Sequence, residues 1–309
     1  MAAKSIVAPL DAPITSRTPA AWTRLSDYWA LTKPEVNFLI VITTFAGFYL
    51  GFGASWRDFP LLLAMNTVLG TLLVASGTGT LNQYVEREFD AQMRRTSRRP
   101  LAAGRLEPSR VLWFGVALSV AGVAYLALEV NLLASLLTLA TLLSYLFLYT
   151  PLKRKSPLCT LLGAFPGAMP PLIGWAGATG KLTLEAWILY AVLFLWQFPH
   201  FMAIAWMYRE DYARAGYQVL PHNENARLHW VNFQTVLPLL ALLPIGLLPA
   251  LAGKFPILYC VGALLSSIGF LYYGTEFVLQ KSNSAARRLL AASILYLPLL
   301  FVLMVVLRG

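Results

Sequence analysis

Between Asn82 and Gly104 an otherwise apolar chain carries NQYVEREFDAQMRRTSRRPLAAG, a run of carboxylates and arginines set directly at the end of a hydrophobic segment. Read as a helix, Asn82, Glu86 and Asp90 recur every four residues, so an amide and two carboxylates project from nearly one face. Acidic side chains at the edge of a membrane span are costly unless a cation or a solvated cavity meets them, which makes such a stretch a candidate functional site by default. The chemistry this set suits is the holding of a hard divalent cation. Magnesium is bound by one or two carboxylates, waters and substrate phosphates, and arginines at the same place suit phosphate oxygens.

A second acidic loop reads REDYARAGYQVLP from Arg209 to Pro221, after the apolar segment LWQFPHFMAIAWMY. Both loops open on acids and continue through arginine to an Ala-Gly pair, Ala103-Gly104 and Ala215-Gly216, as two loops facing one shared cavity would. His200 precedes Asp211 by eleven residues, about three helical turns, so one continuous helix would place both on one face. By itself a histidine in a membrane helix is more often a hydrogen-bonded structural residue. Here Pro199 loosens the helix and makes room for a pocket. His222 and His229 fall in the polar loop and read as solvated. In YTPLKRKSP a phenol, Tyr149, stands four residues before Lys153; a lysine at a span end is on its own a snorkelling topology charge. The following LLGAFPGAMPPLIGWAGA places Pro166, Pro170 and Pro171 among small residues. Close helix packing is the leading reading, and a bent helix widening a central cavity the sharper one.

These groups must be positioned by membrane helices. The chain is 58% hydrophobic and 12% charged, with a mean hydropathy of +0.63, which excludes an ordinary soluble domain. A hydrocarbon core of about 30 Å takes roughly 20 apolar residues as a helix. Nine runs approach that length, near 36–53, 60–84, 111–129, 131–150, 157–178, 184–208, 231–252, 256–279 and 286–307. The expected architecture is an all-α polytopic bundle of nine transmembrane helices around a central cavity opening toward the cytoplasm. Residues 1–35 form a cytoplasmic amino-terminal tail, and 36–309 form a single transmembrane domain. Of 24 lysines and arginines, all but Arg57, Lys181, Lys254 and Arg308 fall on one side of these spans. The positive-inside rule therefore puts the amino terminus in the cytoplasm and the carboxyl terminus outside. The net charge of +10 is spread over short loops, a pattern of topology rather than of nucleic-acid binding. The first residues lack a continuous apolar stretch and do not read as a cleaved signal, which favours a bacterial cytoplasmic membrane. Cys159 and Cys260 have no metal-ligand spacing and read as small core residues.

Acids for Mg²⁺, basic groups for phosphate and an apolar bundle for a lipid tail together suggest a prenyl diphosphate at the membrane surface. Ionising an allylic diphosphate needs the leaving charge neutralised and the carbocation shielded from water. At this point the chain resembles the intramembrane UbiA-type prenyltransferases, and within them the branch that farnesylates protoheme IX. The resemblance runs from LTKPEVN at Leu31 to the last span and is carried by NQYVEREFDAQMRRTSRRPLAAGRL, YTPLKRKSP, GAFPGAMPPLIGW, WQFPHF and DYARAGYQVLP.

The resemblance implies a nine-helix fold and a catalytic Mg²⁺-diphosphate site made of Asn82, Glu86, Asp90 and Asp211. It assigns Arg94, Arg98, Lys153 and Arg154 to the diphosphate, with farnesyl diphosphate and heme B as substrates. His200 is then the candidate contact for heme iron or a propionate. Membrane lipid surrounds the protein, no nucleic acid is expected, and the resemblance leaves room for a heme A synthase or oxidase assembly partner that the residues themselves do not specify. Two positions depart from the superfamily pattern. Glu86 stands where Asp is frequent, and the second acidic motif is reduced to Glu210-Asp211, which bears on a second metal position. No nucleophile is needed, so no essential Ser or Cys is expected. Glu86→Gln or Asp90→Asn is expected to leave folding largely intact and abolish turnover. Three other functions fit parts of the pattern: prenylation of an aromatic quinone precursor, membrane transport, and non-catalytic heme binding in assembly.

Overall fold

A computed structural model describes residues 21–53, 56–251 and 255–308, and in these the chain is helical with no strand. Eight helical segments are long and apolar enough to cross a membrane. They are α2 (Pro34–Phe52), α3 (Leu61–Asp90), α4 (Pro108–Glu129), α5 (Leu132–Ser144) continued through a π turn at Tyr145–Tyr149 into α6 (Thr150–Leu152), α9 (Leu184–Met207), α11 (Glu224–Leu251), α12 (Ile257–Gln280) and α13 (Asn283–Val306). A short α1 (Ala21–Leu31) precedes them, and α10 (Arg209–Arg214) lies between α9 and α11.

The remaining expected span, 157–178, is two short helices, α7 (Cys159–Gly167) and α8 (Met169–Thr179), parted at Ala168. Proline supplies no N–H and clashes with the carbonyl four residues back. Pro170 and Pro171 therefore fall in the first turn of α8, where an N–H has no helical partner to lose. Close packing holds as well. A methyl added at Gly47 would strike the Pro171 carbonyl, and one at Gly174 the Thr44 carbonyl, so α2 and α8 cross backbone against backbone.

α2 and α8 link the two halves of the bundle: α3, α4 and α5 on one side, α9, α11, α12 and α13 on the other. The second half is cored by Trp196, Trp206, Tyr259, Phe270, Phe277 and Phe301. Leu62, Trp113, Leu128, Leu265, Leu295 and Val306 face outward and exposed, an apolar exterior that a hydrocarbon solvent accepts. At 30 residues, α3 is about 45 Å long and outruns a hydrocarbon core of about 30 Å. Its last turns, which bear Asn82, Glu86 and Asp90, therefore stand at the edge of the apolar layer.

Residues 1–20 of the expected tail, with Lys4 and Arg17, lie outside the described residues, as does Lys254. The rest of the tail is largely α1, laid across the basic end of the bundle. Arg105 holds Asp27 through Nε at 3.1 Å and Nη2 at 2.9 Å. Gln83 Nε2 donates to the Leu31 carbonyl at 2.9 Å, and Leu31 packs with Leu101, Leu106 and Val111.

Candidate functional site

Asn82, Glu86 and Asp90 share one face of α3 and are buried, at 1%, 5% and 1% exposure. Each is met by a different cation. Asn82 Oδ1 accepts from Lys33 Nζ at 2.8 Å, Glu86 Oε1 from Lys153 Nζ at 2.8 Å and Asp90 Oδ2 from Arg99 Nη1 at 2.7 Å. Asp211 is also buried. Its Oδ1 accepts from Arg214 Nη1 at 3.0 Å and its Oδ2 from the backbone N–H of Arg95 at 3.2 Å.

Three loops are stitched together to make this cluster. After Asp90 the chain folds back, with Thr96 Oγ1 donating to the Asp90 carbonyl at 2.9 Å, and this returns Arg99 to the acid. The Arg95 amide joins that loop to α10, and the Gln218 N–H donates to the Lys153 carbonyl at 2.7 Å, joining the third. Met93 packs with Ala215 and Tyr217 beneath. Gly104 and Gly216 both sit in the left-handed region, at φ +70° and +71°. The paired Ala-Gly steps thus mark the same kind of turn, one that glycine enters at no steric cost. Asp90 and Asp211 are both held by the loop after α3, Asp90 through the Arg99 guanidinium and Asp211 through the Arg95 amide.

Among the groups on the loops, burial works against the Lys153 ammonium, yet Glu86 and the phenols of Tyr149 and Tyr145 hold its pKa well above the usual lysine range. Lys153 Nζ also lies 4.5 Å over the Tyr149 ring. Burial, and then the positive charge of Arg99, push Lys33 down to about 7. Below pH 7, where Lys33 is charged, Lys33, Lys153 and Arg99 stand against Glu86 and Asp90, a cationic excess suited to a polyanion.

Of the residues expected on phosphate, Lys153 is in the cluster, whereas Arg94, Arg98 and Arg154 are exposed, with Arg154 lying 4.7 Å over the Phe89 ring. Arg99 pairs with Asp90, and Arg95 meets Asp211 only through its backbone N–H, its exposed guanidinium lying over the rings of Tyr208 and Tyr212, because the chain after Asp90 runs as tight turns. Lys33 is a further site residue that sequence reasoning missed. It sits at φ 54°, ψ 61° immediately before Pro34, a left-handed geometry uncommon outside glycine that directs attention to function. The X-Pro step opening α2 was its one sequence signal.

His200 does not share a helix face with Asp211, since α9 ends at Met207 and Tyr208 (φ −107°, ψ 20°) breaks the run before α10. Its ring stacks on Trp196 at 4.7 Å, and its Nδ1 lies 2.8 Å from Ser293 Oγ. That hydroxyl already donates to the Leu290 carbonyl at 2.6 Å, so it must accept from His200. This assigns the proton to Nδ1 and leaves the Nε2 lone pair, the arrangement an axial metal ligand uses.

Among the described residues no three of His, Cys, Asp and Glu converge to hold a metal by themselves. Asp90 Oδ1 is nevertheless buried without a hydrogen-bond partner. One or two carboxylates beside a phosphate-bearing substrate is the donor set Mg²⁺ takes. The residues therefore fit that ion, with substrate oxygens completing its shell.

A bundle of long apolar helices with buried acids and cations gathered at one polar end defines an integral membrane protein with a charged site at the edge of its apolar layer. The UbiA prenyltransferase family model matches residues 40–303, and the chain belongs to that family. It is 50% identical over 286 residues to a protoheme IX farnesyltransferase of Solibacter usitatus (strain Ellin6076), covering 91% of this chain and 98% of that protein. With a protoheme IX farnesyltransferase of Koribacter versatilis (strain Ellin345) it is 41% identical over 309 residues, covering 97% of each. Solved structures share the fold. That of a digeranylgeranylglyceryl phosphate synthase in membranes superposes with a TM-score of 0.73 at 18% identity, over 92% of this chain and 98% of the other. A UbiA homolog from Archaeoglobus fulgidus bound to DMAPP and Mg²⁺ gives 0.61 at 17% identity, over 91% and 100%.

Proposed function

We propose that this chain transfers the farnesyl group of farnesyl diphosphate to a vinyl group of protoheme IX, giving heme O and diphosphate, with Mg²⁺ as cofactor. The reading is supported by the buried pairs Glu86–Lys153 and Asp90–Arg99 and by the Arg95 amide that ties Asp211 to the same loop. It is supported by near full-length similarity to proteins named for that reaction.

Asn82, Glu86, Asp90 and Asp211 are the groups that would hold Mg²⁺, which when bound supplies positive charge against the leaving diphosphate. Lys153 and Arg99 donate charge-assisted hydrogen bonds to the diphosphate oxygens, and the exposed Arg94, Arg98 and Arg154 gather the anion at the rim. As the allylic C–O bond breaks, these donors take up the developing negative charge. The apolar wall, with Tyr145 and Tyr149 at 4.9 Å, keeps water from the allylic cation, and aromatic faces stabilise it. The vinyl π electrons then form the new C–C bond to farnesyl C1. Water adds to the resulting heme-side cation and loses a proton, leaving a hydroxyl. His200 holds the heme through iron or a propionate. The enzyme works in a bacterial cytoplasmic membrane with the acid cluster on the cytoplasmic face, as the basic loops indicate.

The test is incubation of purified protein with heme B, farnesyl diphosphate and Mg²⁺, followed by mass analysis of the extracted heme. A hydroxyfarnesylethyl adduct is expected. Prenylation of a phenolic acid with heme untouched would refute the heme acceptor.

A further inference from the structure

Beside the acid cluster lies a second cavity of different character. It is formed by α10, the loop after it and the start of α11, and it is lined by Arg209, Tyr212, Tyr217, Leu220, His222 and Arg227 among others, with no acidic side chain in its wall. Arg209 is braced there, its Nη1 donating to the Trp206 carbonyl at 2.8 Å and to Asn283 Oδ1 at 3.0 Å. One polar atom in the wall, the Nε of Arg227, is buried without any hydrogen-bond partner. A buried donor left unsatisfied costs about 1–3 kcal/mol, a cost that a ligand acceptor would remove. The Tyr217 hydroxyl is turned the other way, toward Glu86. Tyr217 therefore stands between this cavity and the diphosphate cluster.

The two sites differ in the anion they suit. The cluster around Glu86, Asp90 and Asp211 pairs cations with carboxylates, which fits a metal-complexed diphosphate. The second cavity offers guanidinium and imidazole with no acid in its wall, which fits a bare anion free of metal. Tyr212, Tyr217 and Leu220 add flat and apolar surface beside those donors.

We propose that this cavity is the anchoring subsite for the carboxylate arms of the acceptor. Arg227 and Arg209 grip the carboxylates at the polar end of the bundle while the flat macrocycle faces the apolar interior. The proposal rests on the heme reading above and extends it. Heme carries two propionates and is amphipathic, so fixing its carboxylates at the membrane surface also fixes which edge of the ring enters the bundle.

The test is an absorbance titration of the purified protein in detergent with heme B and with its dimethyl ester, in which the carboxylates are capped. It is run on the wild type and on Arg227→Gln, with farnesyl diphosphate affinity measured alongside. The wild type is expected to bind heme about tenfold or more tightly than the ester, as loss of one charge-assisted hydrogen bond implies. Arg227→Gln should lower heme affinity by a similar factor and leave both the ester and farnesyl diphosphate where they were. Equal wild-type affinity for heme and ester overturns the subsite without touching the heme reading, and needs no folded variant. Loss of farnesyl diphosphate binding with heme unaffected also overturns it, by assigning the cavity to the donor's diphosphate. A wild-type protein that binds neither macrocycle removes the heme reading itself and the subsite with it.

Discussion

Breaking the Glu86–Lys153 pair from either side should have unequal consequences. The two side chains are 7% and 13% exposed and their charged atoms lie 2.8 Å apart, so the pair is shielded from solvent on both sides. At pH 6, where Lys33 with its pKa of about 7 is charged, Glu86→Gln leaves Lys33, Lys153 and Arg99 facing Asp90 alone. Lys153→Gln leaves Lys33 and Arg99 facing Glu86 and Asp90, a balanced set. Removing one partner of a buried pair so that a charge is left uncompensated costs about 3–5 kcal/mol, the figure expected for Glu86→Gln. Lys153→Gln loses a charge-assisted hydrogen bond but orphans no charge, and about 1.5–3 kcal/mol is expected. This revises the expectation that Glu86→Gln leaves folding intact, because Glu86 serves as counter-ion as well as candidate ligand. The assay is the denaturant midpoint of each purified variant in detergent, read together with diphosphate release. Both variants should lose turnover by about 10²–10³-fold, the cost of one preorganised charge contact. A Lys153→Gln protein as unstable as Glu86→Gln would refute the charge count, and wild-type turnover in either would refute the site.

Three further outcomes follow from the same structure. Asp90→Asn should abolish turnover, and chelation should halt diphosphate release in the wild type until Mg²⁺ is restored, whereas Ca²⁺ with its longer bonds should restore little; release unaffected by chelation would remove the metal. His200→Ala should change the heme absorption spectrum and weaken heme binding while farnesyl diphosphate affinity holds, and equal loss of both would end its assignment as a heme contact. Gly47→Ala should lower the unfolding midpoint by an amount equivalent to about 1–3 kcal/mol, the range for overpacking, because the added methyl meets the Pro171 carbonyl; an unchanged midpoint would show that α2 and α8 part easily.

The sequence is most legible where the solvent dictates the answer. A hydrocarbon layer requires long apolar runs, so the spans are readable from composition, and α3 keeps Asn82, Glu86 and Asp90 in register because four-residue spacing survives as long as the helix does. Legibility ends at Asp90. From there to Glu107 the chain is turns, periodicity carries no information, and only tertiary closure decides which arginine faces an acid. Thr96 bonding back to the Asp90 carbonyl selects Arg99, and the Asp211 carboxylate on the Arg95 amide fixes the loop against α10. The same limit explains His200, whose phase relation to Asp211 needed a helix that Tyr208 interrupts. Lys33 shows the limit from the other side. As a charge in the tail it reads as topology, and it becomes part of the site only because α2 returns its amino end to α3, where Asn82 meets it 49 residues further along the chain. The membrane therefore sets which side chains stand at the polar end of the bundle, and contacts between loops distant in sequence set which of those side chains touch the same substrate.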